Sequence, residues 1–207
     1  ADIAIQGDDA MQQGIRFNLF HLLQGAPPDD RAGMPAKCLT GEWYEGHYFW
    51  DTEMYMINPF ICTFPKVARN LLDYRYNTLD AARERARQMG HKKGALYPWR
   101  TINGKEASAY YPQGTAQYHI DADIAYALDF YLKMTGDTEF LVEKGAEILV
   151  ETARLWYDLG AFVDLRDGQF CISDVTGPDE YTSVVDNNFY TNRMAAYNMI
   201  IARQAVE

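Results

Sequence analysis

Apolar residues return at intervals of three and four through most of this sequence, and the stretches they mark are bounded by glycine or proline. That pattern constrains the fold more than any other feature, because it specifies separate helices rather than a sheet. Ile15, Leu19, Leu22 and Leu23 mark a first helix, capped by Asp8 or Asp9, running to about Gln24 and stopped by Pro27-Pro28. A second starts near Asp51 and is bent or ended by Pro59. Pro65 suits a first helical turn, and Val67, Leu71 and Tyr74 carry a stripe that runs, in one or two pieces, to Gly90. Ile120, Ile124, Leu128 and Tyr131 predict a helix ending at Gly136. Asp137 caps the next, with Leu141, Ile148, Thr152, Leu155 and Leu159, which ends at Gly160. Met194, Tyr197 and Ile200 mark the last. Outside the helices, Ile3, Ala4 and Ile5 read as strand-like, and residues 161–165 and 169–173 read as a hairpin about Asp167-Gly168. The expected fold is all-α, with six helices and one small β-hairpin. Long loops over residues 25–50, 91–115 and 174–188 are rich in aromatic or turn residues. A helical toroid with its loops gathered at one mouth suits this alternation, although the pattern alone does not require it.

The chain has 207 residues, enough for one domain that buries roughly 70% of its unfolded surface. Nineteen basic residues against twenty-nine acidic ones give a net charge of −10. Such a surface repels phosphate backbones and anionic lipid, so neither nucleic acid nor membrane is an expected partner. Three widely spaced cysteines, Cys38, Cys62 and Cys171, form no metal-type pair and read as reduced thiols of a cytoplasmic protein, the latter two as packing residues. No apolar run reaches the length of a membrane span. The absent initiator Met and the helical pattern that reaches Glu207 suggest one piece of a longer chain.

Two segments are costly ways to build a merely structural loop. The first runs from Gly41 to Glu53 and contains Trp43, Tyr44, His47, Tyr48, Phe49, Trp50 and Asp51. A pyranose is an apolar slab with a polar rim, and this segment offers flat aromatic faces beside carboxylates. The plainer reading, in which Trp50 is core and Asp51 only caps a helix, stays open. The second is Gly177-Pro178-Asp179-Glu180-Tyr181, followed by Asp186-Asn187-Asn188. Gly-Pro fixes a turn, and a carboxylate desolvated beside Tyr181 would move toward the range of a general acid. A solvated surface turn and a helix cap remain the alternatives. The four histidines show no zinc spacing, and neither a phosphate-cradling glycine loop nor a nucleophile elbow appears.

These residues resemble glycoside hydrolase family 65, the maltose, trehalose, kojibiose and nigerose phosphorylases with their acid trehalase relatives. The matching stretches are Gly14 to His21, Pro35-Ala36-Lys37, Gly46-His47, Phe49-Trp50-Asp51-Thr52-Glu53, Tyr97-Pro98-Trp99, His119 with Ala122-Asp123-Ile124, and Gly177 to Tyr181 with Asn187-Asn188. They span nearly the whole chain in order. The resemblance implies an (α/α)6 barrel, of which residues 1–207 would be the first half. It implies Glu180 as the acid that protonates the glycosidic oxygen, Trp50 and Asp51 as the holders of the non-reducing glucose, and Trp99 as a further wall of the sugar pocket. Cys38, Trp43 and Glu45 stand where relatives are expected to carry Gly, Gly and Arg, which bears on acceptor preference. The phosphate-binding residues would lie beyond Glu207.

The implied reaction is inverting phosphorolysis of an α-glucosyl disaccharide, giving β-glucose 1-phosphate and a free sugar. Its only co-substrate is inorganic phosphate, with neither metal nor organic cofactor, and a homodimer of the full-length protein is compatible with it. An inverting hydrolase needs an acid and a base. Phosphate is already anionic and takes the place of the base, and Glu180 is the one acid here with a strong case. Asp51, Glu53 and Asp186 read as sugar-binding or capping groups. The alternatives are a trehalase-like hydrolase and a noncatalytic helical sugar-binding module.

Overall fold

The computed structural model describes residues 3–207. Ile3, Ala4 and Ile5 form no strand. No neighbouring strand among the described residues pairs with them, and the Gln12 side chain ties them back instead. Its Oε1 accepts from Ile5 N at 2.6 Å and its Nε2 donates to Ile3 O at 2.9 Å. Helix α1 (Asp9–Gly25) starts where the Asp8 carboxylate accepts the Met11 N–H, the expected cap. Its apolar stripe is not core: Ile15, Leu19 and Leu22 are half-buried, and Phe17, Phe20 and Leu23 are exposed.

The helix predicted from Asp51 begins as a π turn (Thr52–Met56) and becomes α2 (Ile57–Thr63). Pro59 sits inside it without ending it. Its missing N–H frees a carbonyl in the preceding turn, and Asn58 Nδ2 donates to Met54 O at 2.8 Å just there. The break falls at Phe64, which the following Pro65 holds off the helical region (φ −137°, ψ 67°). The predicted 65–90 helix is two pieces, α3 (Pro65–Asn77) and α4 (Leu79–Gln88), and a short turn, α5 (Pro112–Thr115), punctuates the long loop. Helix α6 (Ile120–Thr135) ends as expected at Gly136, left-handed at φ 68°.

Asp137 caps α7 (Thr138–Phe140), accepting from Phe140 N. A π turn (Leu141–Gly145) then interrupts what the periodicity presents as one helix, and α8 (Ala146–Leu159) follows. Strands β1 (Ala161–Val163) and β2 (Gln169–Cys171) pair antiparallel with Phe162 opposite Phe170. Both are shorter than predicted: a 3-10 turn (Asp164–Arg166) takes the inner residues of the first, and the second ends at Cys171. Helix α9 (Phe189–Val206) is capped by Asn188, one of the three candidates Asp186, Asn187 and Asn188: its side chain accepts from Thr191 N at 3.1 Å.

Helix α6 lies at the centre. Ile120 through Ala125, with Ala127, Leu128 and Tyr131, are buried, and α2, α3, α8 and α9 pack around it. Burial on nearly every side suits its mostly apolar sequence, and the two carboxylates buried with it are hydrogen-bonded, Asp121 to Tyr97 N and Asp123 to His119 and Tyr190. Leu71, Leu72, Ile124, Leu128, Phe140 and Ile148 build the main cluster, each at 1% exposure or less. A smaller cluster with Leu96, Leu155, Trp156 and Val175 lies under the hairpin and the 174–188 loop. Trp156 Nε1 donates to Asn198 Oδ1 at 2.9 Å and Asn198 Nδ2 donates to Leu149 O, which joins α8 to α9. Cys171 is buried as expected, whereas Cys62 lies exposed near the end of α2.

Candidate active site

Three segments far apart in sequence are tied together in space. Tyr48 and Thr101 exchange backbone hydrogen bonds of 2.8 and 3.2 Å, which sets the chain at Trp50 beside the chain at Trp99. Thr176 N donates to Ala116 O at 2.9 Å, and its Oγ1 donates to Pro112 O at 2.7 Å. Those two bonds bring the Gly177–Tyr181 turn against the same loop. Val175 and Val185 pair across the base of that turn.

Trp50 and Asp51 are fixed from below. Glu53 and Arg75, each 2% exposed, form a two-pronged ion pair with distances of 2.7 and 2.9 Å. Tyr97 Oη donates to Arg75 O at 2.8 Å. Glu53 is therefore an anchor of the helix start, neither a cap nor a sugar ligand, and this corrects the expectation for it. The carboxylate beside it raises the Arg75 pKa against the opposing effect of burial. A pair this deep costs much desolvation, so its use is to hold one geometry, and losing one partner strands the other charge. Asp51 makes no capping hydrogen bond, which removes the plainer reading of that residue.

Trp99 stands on a different device. The Glu106 carboxylate accepts from Trp99 N at 2.9 Å and Arg100 N at 3.1 Å, and Arg85 pairs with it at 3.0 Å. The Trp99 ring meets Phe49 edge-on at 5.4 Å and leans on Gly114, where a Cβ would stand 2.5 Å from the indole. Glu180 sits at the exposed tip of its turn. Gln117, itself buried, donates from Nε2 to Glu180 Oε1 at 2.7 Å and to Gln113 O at 2.7 Å. One carboxylate oxygen is thus held by a buried side chain. Tyr181 does not desolvate Glu180 as the sequence suggests, for its side chain is 99% exposed.

The four residues singled out in the sequence come together. Trp50, Asp51, Trp99 and Glu180 line one cleft of about 210 Å³, with Ala36, Tyr44 and Phe49. A second hollow of about 540 Å³ adjoins it through Tyr44 and is lined by Glu42, Trp43, Glu45 and Arg100. Tyr44 and Glu45 are left-handed, at φ 64° and 53°, and Arg100 Nη2 donates to Glu45 Oε2 at 2.8 Å. Cys38 is left-handed as well, at φ 49°, a conformation that glycine adopts more cheaply. Asp186 lies exposed and outside the cleft. Among the described residues no cluster of His, Cys, Asp and Glu could hold a metal, and no helix is long and apolar enough to cross a membrane.

Gln117, Glu106 and Gly114 escaped sequence reasoning. They carry no motif of their own, and their signal is purely spatial: each touches a residue that the motifs mark.

A helical domain that opens an aromatic cleft with carboxylates on its rim has the chemistry to hold a sugar. Residues 16–207 match the glycosyl hydrolase family 65 central catalytic domain. The chain is 60% identical to an alpha,alpha-trehalose phosphorylase of Thermoanaerobacter brockii, over 96% of this chain and 26% of that protein. It is 44% identical to a kojibiose phosphorylase of Halothermothrix orenii, over 96% of this chain and 27% of that protein. A solved structure described as a putative kojibiose phosphorylase from human microbiome superposes with a TM-score of 0.93 at 36% identity, over 99% of this chain and 27% of that one. The chain belongs to glycosyl hydrolase family 65, and its helices are part of an (α/α)6 barrel. It spans about a quarter of the length of the curated relatives it matches.

Proposed function

We propose that the complete protein carries out inverting phosphorolysis of an α-glucosyl disaccharide, and that residues 1–207 are the first half of its catalytic barrel. The observation that carries this reading is the single cleft in which Glu180 faces Trp50, Asp51 and Trp99. Trp50 and Trp99 offer faces to the sugar ring, and Asp51, uncommitted to any cap, accepts from its hydroxyls. Glu180, steadied by Gln117, gives its proton to the glycosidic oxygen as the bond from C1 breaks. Phosphate attacks C1 from the opposite face, so the products are β-glucose 1-phosphate and a free sugar.

Among the linkages, the α,α-bond of trehalose has the strongest support, since a trehalose phosphorylase is 60% identical and a kojibiose phosphorylase 44%. The reading asks for no metal or organic cofactor and for phosphate alone as co-substrate. It treats the protein as cytoplasmic, without nucleic-acid or membrane partners, in keeping with its charge of −10 and free thiols. A homodimer of the complete protein fits it.

The deciding experiment incubates the complete protein with trehalose, maltose, kojibiose and nigerose, with and without phosphate, and identifies the products. Phosphate-dependent release of β-glucose 1-phosphate from trehalose is expected. Glucose formed equally without phosphate would select the hydrolase. Sugar binding without turnover would select the noncatalytic module.

A further inference from the structure

One wholly buried polar group near the cleft has no part in the proposed reaction. His119 immediately precedes α6 and is wholly buried, 0% exposed. A carboxylate only accepts, so the 2.6 Å contact between His119 Nδ1 and Asp123 Oδ2 places the hydrogen on Nδ1. The other Asp123 oxygen accepts from Tyr190 Oη at 2.8 Å. Burial, and after it the Asp123 charge, holds the Tyr190 hydroxyl far above the ordinary tyrosine range, so that it stays a donor. Asp123, on α6, is thereby held between His119 and Tyr190 of the first turn of α9, and it fixes the plane of the imidazole. His119 Nε2 is buried without any hydrogen-bond partner.

A fully buried imidazole with one nitrogen unsatisfied is an expensive core residue, since an apolar ring of that size would fill the space without the desolvation cost. Its position shows what it meets. The ring stands perpendicular to Trp50, at 85° with centroids 5.0 Å apart, and perpendicular to Tyr190, at 86° and 5.4 Å. The Tyr55 ring lies 5.6 Å from Trp50. Trp50 thus meets two rings, His119, held by a hydrogen-bonded carboxylate in the core, and Tyr55, 63% exposed.

We propose that His119 is a positioning residue for the glucosyl site: Asp123 and Tyr190 lock its ring, and the ring sets the plane of Trp50. This rests on the reading of Trp50 as the wall that holds the glucose common to every candidate substrate. An aromatic platform binds a sugar only if its face lies along the ring of C–H groups, so a tilt costs affinity without touching the acid. The cluster also ties the cleft to α9. A disturbance at the start of that helix reaches Trp50 through Tyr190 and Asp123.

The test is a double-mutant cycle in the complete protein. His119→Asn keeps a donor for Asp123 and removes the ring edge from Trp50. It is expected to raise KM about 3- to 10-fold, the size of one aromatic contact, for the disaccharide and for α-glucosyl fluoride alike, with kcat nearly unchanged. In a Trp50→Ala background the same substitution is expected to change KM less than about twofold, because the residue through which it acts is gone. Tyr190→Phe removes only a hydroxyl, and should give a smaller KM rise that also vanishes without Trp50. This second variant serves if His119→Asn does not fold. KM effects that persist undiminished in the Trp50→Ala background overturn the inference, as does a lowered Tm with KM unmoved in either variant. If Trp50→Ala itself leaves KM unchanged for every substrate, the assignment of the glucosyl site falls first and this inference with it.

Discussion

In the proposed reaction Glu180 is the acid, and its surroundings define what its loss should look like. Glu180→Gln preserves the shape and the contact with Gln117 but supplies no proton. Disaccharide cleavage by the complete protein should fall by roughly 10²–10⁴-fold, while α-glucosyl fluoride, whose leaving group hardly needs a proton, should lose far less. Equal losses would make Glu180 a structural residue. Asp121 gives a prediction of the opposite kind, about stability rather than turnover. It is 0% exposed, and burial is the largest influence on its carboxyl, which it holds well above the ordinary range against the Tyr97 N–H bonded to it at 2.8 Å. In the unfolded chain an aspartate ionises near pH 4. Above that pH the folded state therefore binds more protons than the unfolded state, and stability falls as pH rises toward the folded value. Asp121→Asn keeps the acceptor for Tyr97 and cannot ionise. Its Tm should gain on the wild type steadily from about pH 4 upward, and a constant difference across pH would refute the account. Of these residues, Glu180, Trp50, Asp51 and Trp99 could be picked from the sequence because each sits in a segment with recognisable wording. Gln117 and Glu106 could not, since a single Gln or Glu in a loop looks the same whether it meets solvent or a neighbouring loop.

The elements carrying those residues are positioned by close contacts that leave no room for a side chain. At Gly114 a Cβ would lie 2.5 Å from the Trp99 indole, and at Gly177 it would lie 2.4 Å from Asn188 Nδ2. Gly114→Ala should displace Trp99 at a cost of about 1–3 kcal/mol, seen as weaker substrate binding as well as a lower Tm. A lower Tm with unchanged KM would mean that Trp99 does not wall the pocket. Asn188 both caps α9 and packs against Gly177 at the root of the Glu180 turn. Asn188→Ala should cost about 0.5–2 kcal/mol of stability by urea unfolding and should also lower kcat, because cap and turn share one side chain. Cap residues and glycine stops were readable in the sequence at Asp8, Asp137 and Gly136, where the signal is local. The π turns at Thr52–Met56 and Leu141–Gly145 were not, because hydrophobic spacing hardly distinguishes one widened turn from an ordinary one. The sequence leaves the cap at α9 open among Asp186, Asn187 and Asn188 for a similar reason: all three are competent, and the structure gives the cap to Asn188, which also packs against Gly177.

The whole molecule presents an uneven surface. Phe17, Phe20 and Leu23 on α1, Tyr157 on α8 and Val206 on α9 are each about half exposed or more, beside a core in which Leu72, Ile124 and Trp156 are fully buried. Residues 1–207 expressed alone should bind a hydrophobic dye and self-associate, unlike the complete protein. If they behave as a clean monomer without dye binding, those faces need no cover. In the complete protein, Trp50→Ala and Asp51→Asn should weaken trehalose, maltose, kojibiose and nigerose alike, by about 1–3 kcal/mol for a lost buried hydrogen bond. An effect confined to one linkage would move them to the acceptor side. Activity should survive chelation, and a loss restored by one particular metal would sink the metal-free reading. The helices, most of their stops and the candidate segments for the chemistry were set by the sequence itself, because periodicity, capping and proline act over one or two turns. The gathering of Trp50, Trp99 and Glu180 about one cleft was decided only by the tertiary structure. It depends on the Tyr48–Thr101 bridge, the buried Glu53–Arg75 pair and the Gln117 contact to Glu180, and each of these joins residues whose separation along the chain leaves no local trace of their meeting.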